Sequence, residues 1–179
     1  MVEKIFGKPI ITQEAVQKRI KELGNKITRD YAGKDLYLVG VLNGAYAFYA
    51  DLSRAISLPL QVGFIIVSSY QGATHSSGKV KVLSDIPEDI TGKDILLVED
   101  IIDSGLTLKF LKKKIKSKKP NSLKVCVLLN KVEGRQVEVD LDYTGFEIPD
   151  KFIVGYGLDY DNKYRNLPYM AVLENFNEE

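Results

Sequence analysis

A chain of 179 residues with a formal net charge of +1, 45% hydrophobic and 27% charged residues has the composition of one soluble globular domain. The near-neutral balance supplies no overall field for nucleic acid, a membrane surface or an acidic partner. One cysteine and one histidine exclude an internal disulfide and a His-rich metal site, and no apolar run spans a bilayer or reads as a leader, so a cytoplasmic protein is expected.

Helical and strand periods alternate along the chain. Thr12 is a plausible N-cap, after which Val16, Ile20, Leu23, Ile27 and Tyr31 recur at helical spacing until Gly33. Leu36 to Leu42 reads as a strand closed by Asn43-Gly44. Ala45 to Ile56 reads as a helix and Gln61 to Val67 as a β-branched strand. Ser68 to Gly78 is polar and glycine-containing, hence a loop or two strand ends joined by one, and Val80 to Leu83 is a short strand. Ile95 to Val98 is a buried strand, followed by a helix over Leu106 to Lys116. Further strands are expected at Ser122 to Asn130, Phe152 to Tyr156 and Tyr169 to Leu173. Cys126 lies within an apolar run and reads as a small buried hydrophobe. Phe110 is assigned to the core with Ile115, and Tyr156, Tyr160 and Tyr164 to core packing. The lysine-rich stretch Lys109 to Lys119 reads as a solvated helix face.

Near-continuous apolar strands alternating with helices predict one α/β domain over residues 1–179, its parallel sheet covered on both faces. Ligands in such sheets bind beyond the carboxyl ends of the strands. The unusual polar residues fall there: Leu42-Asn43-Gly44, Ser69-Tyr70, Glu99-Asp100, Lys131 and Asp159.

The densest of these segments is Ile95 to Thr107. Three carboxylates, Glu99, Asp100 and Asp103, follow four apolar residues, and a turn of Ser104, Gly105, Leu106 and Thr107 then opens a basic helix. Acids so closely spaced call for a cation or for sugar hydroxyls. The turn offers backbone N–H groups and hydroxyls to a phosphate. It lacks the Gly-Lys-Ser/Thr ending of a nucleoside triphosphate loop. Asp103, beside the anion site, is the candidate for proton transfer.

Leu97 to Thr107 resembles the phosphoribosyl-diphosphate signature of type I phosphoribosyltransferases. Val41 to Ala45, Leu129-Asn130-Lys131, Pro149 to Tyr160 and Tyr164 to Leu167 narrow the likeness to the hypoxanthine–guanine phosphoribosyltransferases, in sequence order from about Leu36 onward. The resemblance implies a parallel sheet flanked by helices, with a small hood over the base site. It implies that Asp103, Ser104, Gly105, Leu106 and Thr107 bind a 5′-phosphate, and that Glu99 and Asp100 face the ribose and a magnesium ion. Asp103 exchanges a proton with purine N7. Lys131 meets the 6-keto oxygen, Phe152 stacks on the base and Ile153 contacts its edge. Asp159 lies at the base side and helps hold a second magnesium ion. Leu42, Asn43, Gly44 and Arg165 bind pyrophosphate, in the family through a cis peptide between the first two. Ser69 and Tyr70 belong to a closing lid, and Arg135 is a weaker phosphate-side candidate. Asn43 stands where the family often has lysine.

The expected partners are therefore 5-phosphoribosyl 1-diphosphate and 6-oxopurine bases, with magnesium as cofactor, no nucleic acid and no membrane, in a homodimer or homotetramer. A regulatory RNA-binding protein of the same fold would need a broader basic surface. A receiver-like module would leave the Asp103–Thr107 turn and the Phe152–Asp159 segment without a purpose.

Overall fold

The computed structural model of the chain describes residues 9–72 and 75–173, and only the backbone between 69 and 79. Helix α1, Gln13–Asp30, starts where the Thr12 side chain accepts a hydrogen bond from Ala15 N at 3.3 Å, a side-chain cap for one of the four N–H groups a helix leaves unpaired. Strand β1 (Leu36–Leu42) leads into α2 (Tyr46–Ala55), and β2 (Gln61–Gly72) into β3 (His75–Ser84). Strand β4 (Asp94–Ile102) leads into α3 (Leu106–Ser117), followed by β5 (Ser122–Lys131) and β6 (Tyr143–Ile148). Two short strands, β7 (Ile153–Val154) and β8 (Ala171–Val172), complete the fold.

The six-stranded sheet runs in the order β3-β2-β1-β4-β5-β6. All its pairings are parallel except β2 with β3. Alternate residues of the central strands divide between two cores. Leu36, Leu38, Leu96, Val98, Cys126 and Leu128 pack with Ile20, Leu23 and Ile27 of α1 and Phe48 and Leu52 of α2. Tyr37, Val39, Ile95, Leu97, Val125 and Val127 pack with Leu108, Leu111 and Ile115 of α3. Burial on both faces is why these strands read as unbroken apolar runs. Each fully buried Leu or Ile contributes about 1.5–3 kcal/mol.

The structure changes the sequence expectations at several strands. Strand β4 does not stop at Val98: it stays paired with β5 as far as Ile102↔Asn130, so Glu99 and Asp100 lie inside the strand. The parallel strand after β5 is Tyr143–Ile148, not the Phe152–Tyr156 segment; its Thr-Gly-Phe-Glu centre, only partly buried at the sheet edge, hides the strand period. Ile153–Val154 instead pairs antiparallel with Ala171–Val172 as a separate two-stranded hood. Of the two readings offered for Ser68 to Gly78, the structure takes the two strand ends: β2 and β3 pair as far as Gly72↔His75. Residues 73 and 74 and the side chains of Ser69 and Tyr70 lie outside the described ones.

Phe110 is 38% exposed. Leu108, Leu111 and Ile115 share a helix face at spacings of three and four, whereas five residues separate Phe110 from Ile115, which turns its side chain outward. Tyr156 is buried, Tyr164 packs within the hood, and Tyr160 is exposed beside Phe152. The hood is anchored to the start of the chain by Met170, whose N–H donates to Ile11 O at 3.0 Å and whose carbonyl accepts from Ile10 N at 2.9 Å. Among the described residues no helix is long and apolar enough to cross a membrane.

Candidate active site

Strands β1 and β4 lie side by side at the centre, and the chain winds outward from them in opposite directions. Their carboxyl ends form the switch point where open α/β sheets bind ligands. At the end of β1 the Leu42–Asn43 peptide is cis. Gly44 follows, and a Cβ there would overlap Oδ2 of Asp100; only glycine lets the β1 loop and the β4 carboxylate come so close.

Glu99 and Asp100 are both buried, 9% and 8% exposed. Asp100 Oδ1 accepts from Ile101 N at 2.9 Å. Glu99 Oε2 is the buried side-chain oxygen that lacks a hydrogen-bond partner among the described residues. Burial, and then the negative Asp100 beside it, pushes Glu99 well above the usual carboxylate range; burial pushes Asp100 up as well. A buried acid without a donor is costly in a finished core, and reads instead as an oxygen kept for a ligand.

Beyond Ile102 the chain turns through Asp103 and Ser104 to Gly105, whose φ of 82° starts α3 in the left-handed region. The first-turn N–H groups have no acceptor within the helix and sit at its positive end. Leu106 N meets Ser104 Oγ at 3.4 Å. The Ser104 carbonyl accepts from Gln136 N at 3.0 Å and Val137 N at 3.2 Å, so the segment after β5 holds the turn in place. Arg135 is a brace: its guanidinium donates to Asp103 O at 3.2 Å, Lys131 O at 3.4 Å and the Asn130 side chain.

Lys131 ends β5, 8% exposed. Its Nζ lies 3.6 Å from Asp103 Oδ2 and 3.2 Å from Asp150 Oδ1. Phe152 follows two residues later, 43% exposed, its ring edge-on to Tyr160 with centroids 6.0 Å apart. Ile153 is buried in β7. Asp103 from the turn, Lys131 from β5 and the Asp150–Phe152 corner of the hood thus meet at one rim.

On the other side, Arg165 Nη2 pairs with Asp159 Oδ1 at 2.7 Å and Nη1 donates to Gly157 O at 2.7 Å. Asp159 Oδ2 accepts from Asn162 N at 2.9 Å. Glu99, Asp100 and Asp159 do not form one cluster: among the described residues no three Asp, Glu, His or Cys side chains gather to hold a metal ion. Asp159 belongs to the hood and is engaged by Arg165, whereas the Glu99–Asp100 pair sits in the sheet. A pair of carboxylates nevertheless fits a magnesium ion that keeps water and substrate phosphate as its remaining ligands. Sequence reasoning missed Asp150, which lies between Pro149 and Tyr160 but carries no spacing signal of its own, and Tyr46, whose hydroxyl reaches Arg165 O at 3.0 Å.

A turn of small hydroxyl residues at a helix start, a buried acid pair and a lysine between two carboxylates thus lie at the carboxyl end of one open α/β sheet. The chain belongs to the phosphoribosyl transferase domain family, whose profile matches residues 9–161. It is 48% identical over 174 residues to the hypoxanthine-guanine phosphoribosyltransferase of Streptococcus thermophilus, covering 97% of each chain. It is 48% identical over 171 residues to that of Mycobacterium tuberculosis, covering 92% of this chain and 85% of the relative. Among solved structures, a hypoxanthine phosphoribosyltransferase from Staphylococcus aureus superposes with a TM-score of 0.92 at 42% identity, covering 97% of this chain and 94% of that one.

Proposed function

We propose that the chain is a purine-salvage enzyme that transfers the 5-phosphoribosyl group of 5-phosphoribosyl 1-diphosphate to hypoxanthine or guanine, giving IMP or GMP and pyrophosphate. The observation that carries this reading is the Lys131 ammonium, 3.6 Å from Asp103 at the start of the phosphate turn. It joins a group suited to a keto oxygen to one suited to a nearby ring nitrogen.

The N–H groups and hydroxyls of Asp103 to Thr107 hold the 5′-phosphate, which anchors the ribose. Glu99 and Asp100 accept from the ribose hydroxyls and hold magnesium on that side. When bound, magnesium neutralises charge on the departing pyrophosphate. Leu42, Asn43 and Gly44 present backbone to the pyrophosphate, and Arg165 adds a cation as negative charge builds on it. Asp159 orients Arg165 and borders the second metal position. Asp103 accepts the proton from N7 as the base attacks the anomeric carbon. Phe152 fixes the base plane and Ile153 reads its edge through main-chain atoms. Ser69 and Tyr70 belong to a segment that closes over the site, keeping water from a cationic sugar.

Lys131 selects the base. Its ammonium donates to a 6-keto oxygen but faces the amino group of adenine donor to donor. An unpaired buried donor costs about 1–3 kcal/mol, more when charged, and sites of this type discriminate strongly. Residues 1–179 act as one domain, assembled as a homodimer or homotetramer. The buried Cys126 thiol suits a reducing compartment, and we place the reaction in the cytoplasm.

The test is a magnesium-dependent assay with 5-phosphoribosyl 1-diphosphate against hypoxanthine, guanine, xanthine and adenine. Turnover of the first two with adenine rejected is the expected result. Equal use of adenine, or no pyrophosphate release with any base, would overturn the assignment.

A further inference from the structure

Asp150 has no part in the mechanism above, yet it is the acid nearest the base-selecting ammonium. Strands β5 and β6 stay in parallel register to their last pair, Lys131↔Ile148. The chain leaving β6 therefore passes beside Lys131. Lys151 N donates to Pro149 O at 2.8 Å, a three-residue turn with Asp150 at its apex. Phe152 follows at once, its carbonyl accepting from Leu173 N at 3.0 Å, which ties this corner to the hood.

We propose that Asp150 is a positioning residue that aims Lys131 at the base, an inference that rests on the proposed purine specificity. The Lys131 side chain is 10% exposed, whereas those of Asp103 and Asp150 are 57% and 54% exposed. An ammonium so enclosed needs anionic partners, and both carboxylates lie against it. It has three N–H donors. Asp150 accepts one at 3.2 Å, while Asp103 attracts the ammonium at 3.6 Å without a hydrogen bond, which leaves donors for a keto oxygen. Without Asp150 the ammonium has one acid left and moves onto Asp103, away from the base and onto the group that handles its proton. The same short stretch thus sets the base plane through Phe152 and the base edge through Asp150 and Lys131.

Asp150→Asn and Asp150→Glu test this. In steady-state kinetics Asp150→Asn raises KM for hypoxanthine about tenfold and leaves KM for 5-phosphoribosyl 1-diphosphate within about twofold, and Asp150→Glu restores most of the loss. A general loosening of the fold would move both constants together. Unchanged constants, parallel rises in both, or no rescue by glutamate would each overturn the proposal. A second readout needs no turnover: the ¹⁵N-correlated ammonium signal of Lys131 in the ligand-free protein. It is present in the unsubstituted and Asp150→Glu proteins and lost to fast exchange in Asp150→Asn; its persistence in Asp150→Asn would sink the proposal. Failure of the unsubstituted protein to use any purine would strike the functional reading instead, with the ammonium signal still deciding the Asp150–Lys131 pairing.

Discussion

The Tyr46 hydroxyl donates to the main-chain carbonyl of Arg165 at 3.0 Å, tying the first turn of α2 to the hood across 119 residues of sequence. The same helix holds the hood at a second point, where the Tyr156 hydroxyl donates to the Asp51 carboxylate. Because α2 follows directly from Leu42-Asn43-Gly44, these bonds link the loop to the Arg165 segment. Removing one such neutral bond costs about 0.5–1.5 kcal/mol. Tyr46→Phe is therefore expected to raise KM for pyrophosphate in the reverse reaction, by up to about tenfold, with KM for the nucleotide's base-side partner in the forward reaction unchanged. Equal changes in the two constants would show that the bond serves the fold alone.

Lys131→Ala removes the ammonium proposed to separate keto from amino purines. Adenine turnover, relative to hypoxanthine, is expected to rise by about 10-fold or more, while KM for 5-phosphoribosyl 1-diphosphate stays within about twofold because the phosphate turn is braced by Arg135 rather than by Lys131. Competition assays with both bases check it. A variant that still rejects adenine fully would remove Lys131 from the selecting role.

Glu99 and Asp100 shape the pH dependence of stability from the alkaline side. Both carboxyls are raised by burial, Glu99 further by its acidic neighbour. A carboxyl raised in the folded state favours folding below its unfolded value of about 4, and that contribution is lost as pH climbs through the folded value. Ligand-free protein should lose stability on this account as pH rises, and a divalent cation should restore it. Glu99→Gln removes much of the dependence. Without metal it should melt above the unsubstituted protein near pH 8, by a few degrees or more for each kcal/mol gained in a chain of about this size, with the gap closing as pH falls to about 4 and below. Melting curves with and without magnesium measure this, and a pH-independent gap would contradict it.

Asp85 acts from the acid side. Burial raises its carboxyl, but Lys114, the Ile86 N–H and Lys118 together outweigh that and hold it below the usual aspartate range. Its Oδ2 lies 2.9 Å from Lys114 Nζ and 3.2 Å from Lys118 Nζ, while Oδ1 accepts from Ile86 N at 2.9 Å. The lowered value means stability that is present above the unfolded value and lost as pH falls through the folded one. Because these groups are about a third exposed, solvent screening limits the contribution to about 0.5–1 kcal/mol. Asp85→Asn should lower the melting temperature at pH 7 and converge with the unsubstituted protein near pH 3. Parallel curves down to that pH would remove Asp85 from the acid limb.

Much of the fold was legible because the signals are local. The β1 bounds, Leu36–Leu42, follow from an apolar run stopped by Asp35 and Asn43-Gly44, and α1 follows from a Thr12 cap and 3.6-residue spacing. The strand–turn–helix from Asp94 to Ser117 was equally plain, since it needs only an apolar run, small hydroxyl residues, a glycine and helical spacing within about two dozen positions. These features depend on neighbours in sequence, and backbone sterics and capping act at that range.

Other features depended on distant partners. The sheet decided that Tyr143–Ile148, with its polar centre, would pair as a strand, because β5 offered an open edge. Ile153–Val154 found its partner in Ala171–Val172 and so became hood rather than sheet. Asp150 meets Lys131 only through the β5–β6 register, and Tyr46 meets Arg165 only because α2 and the hood close on each other. The order of residues thus determined the elements and the chemistry each could offer. Which of those groups share one rim was decided by burial and strand pairing across the whole chain, whose free energy belongs to no single segment.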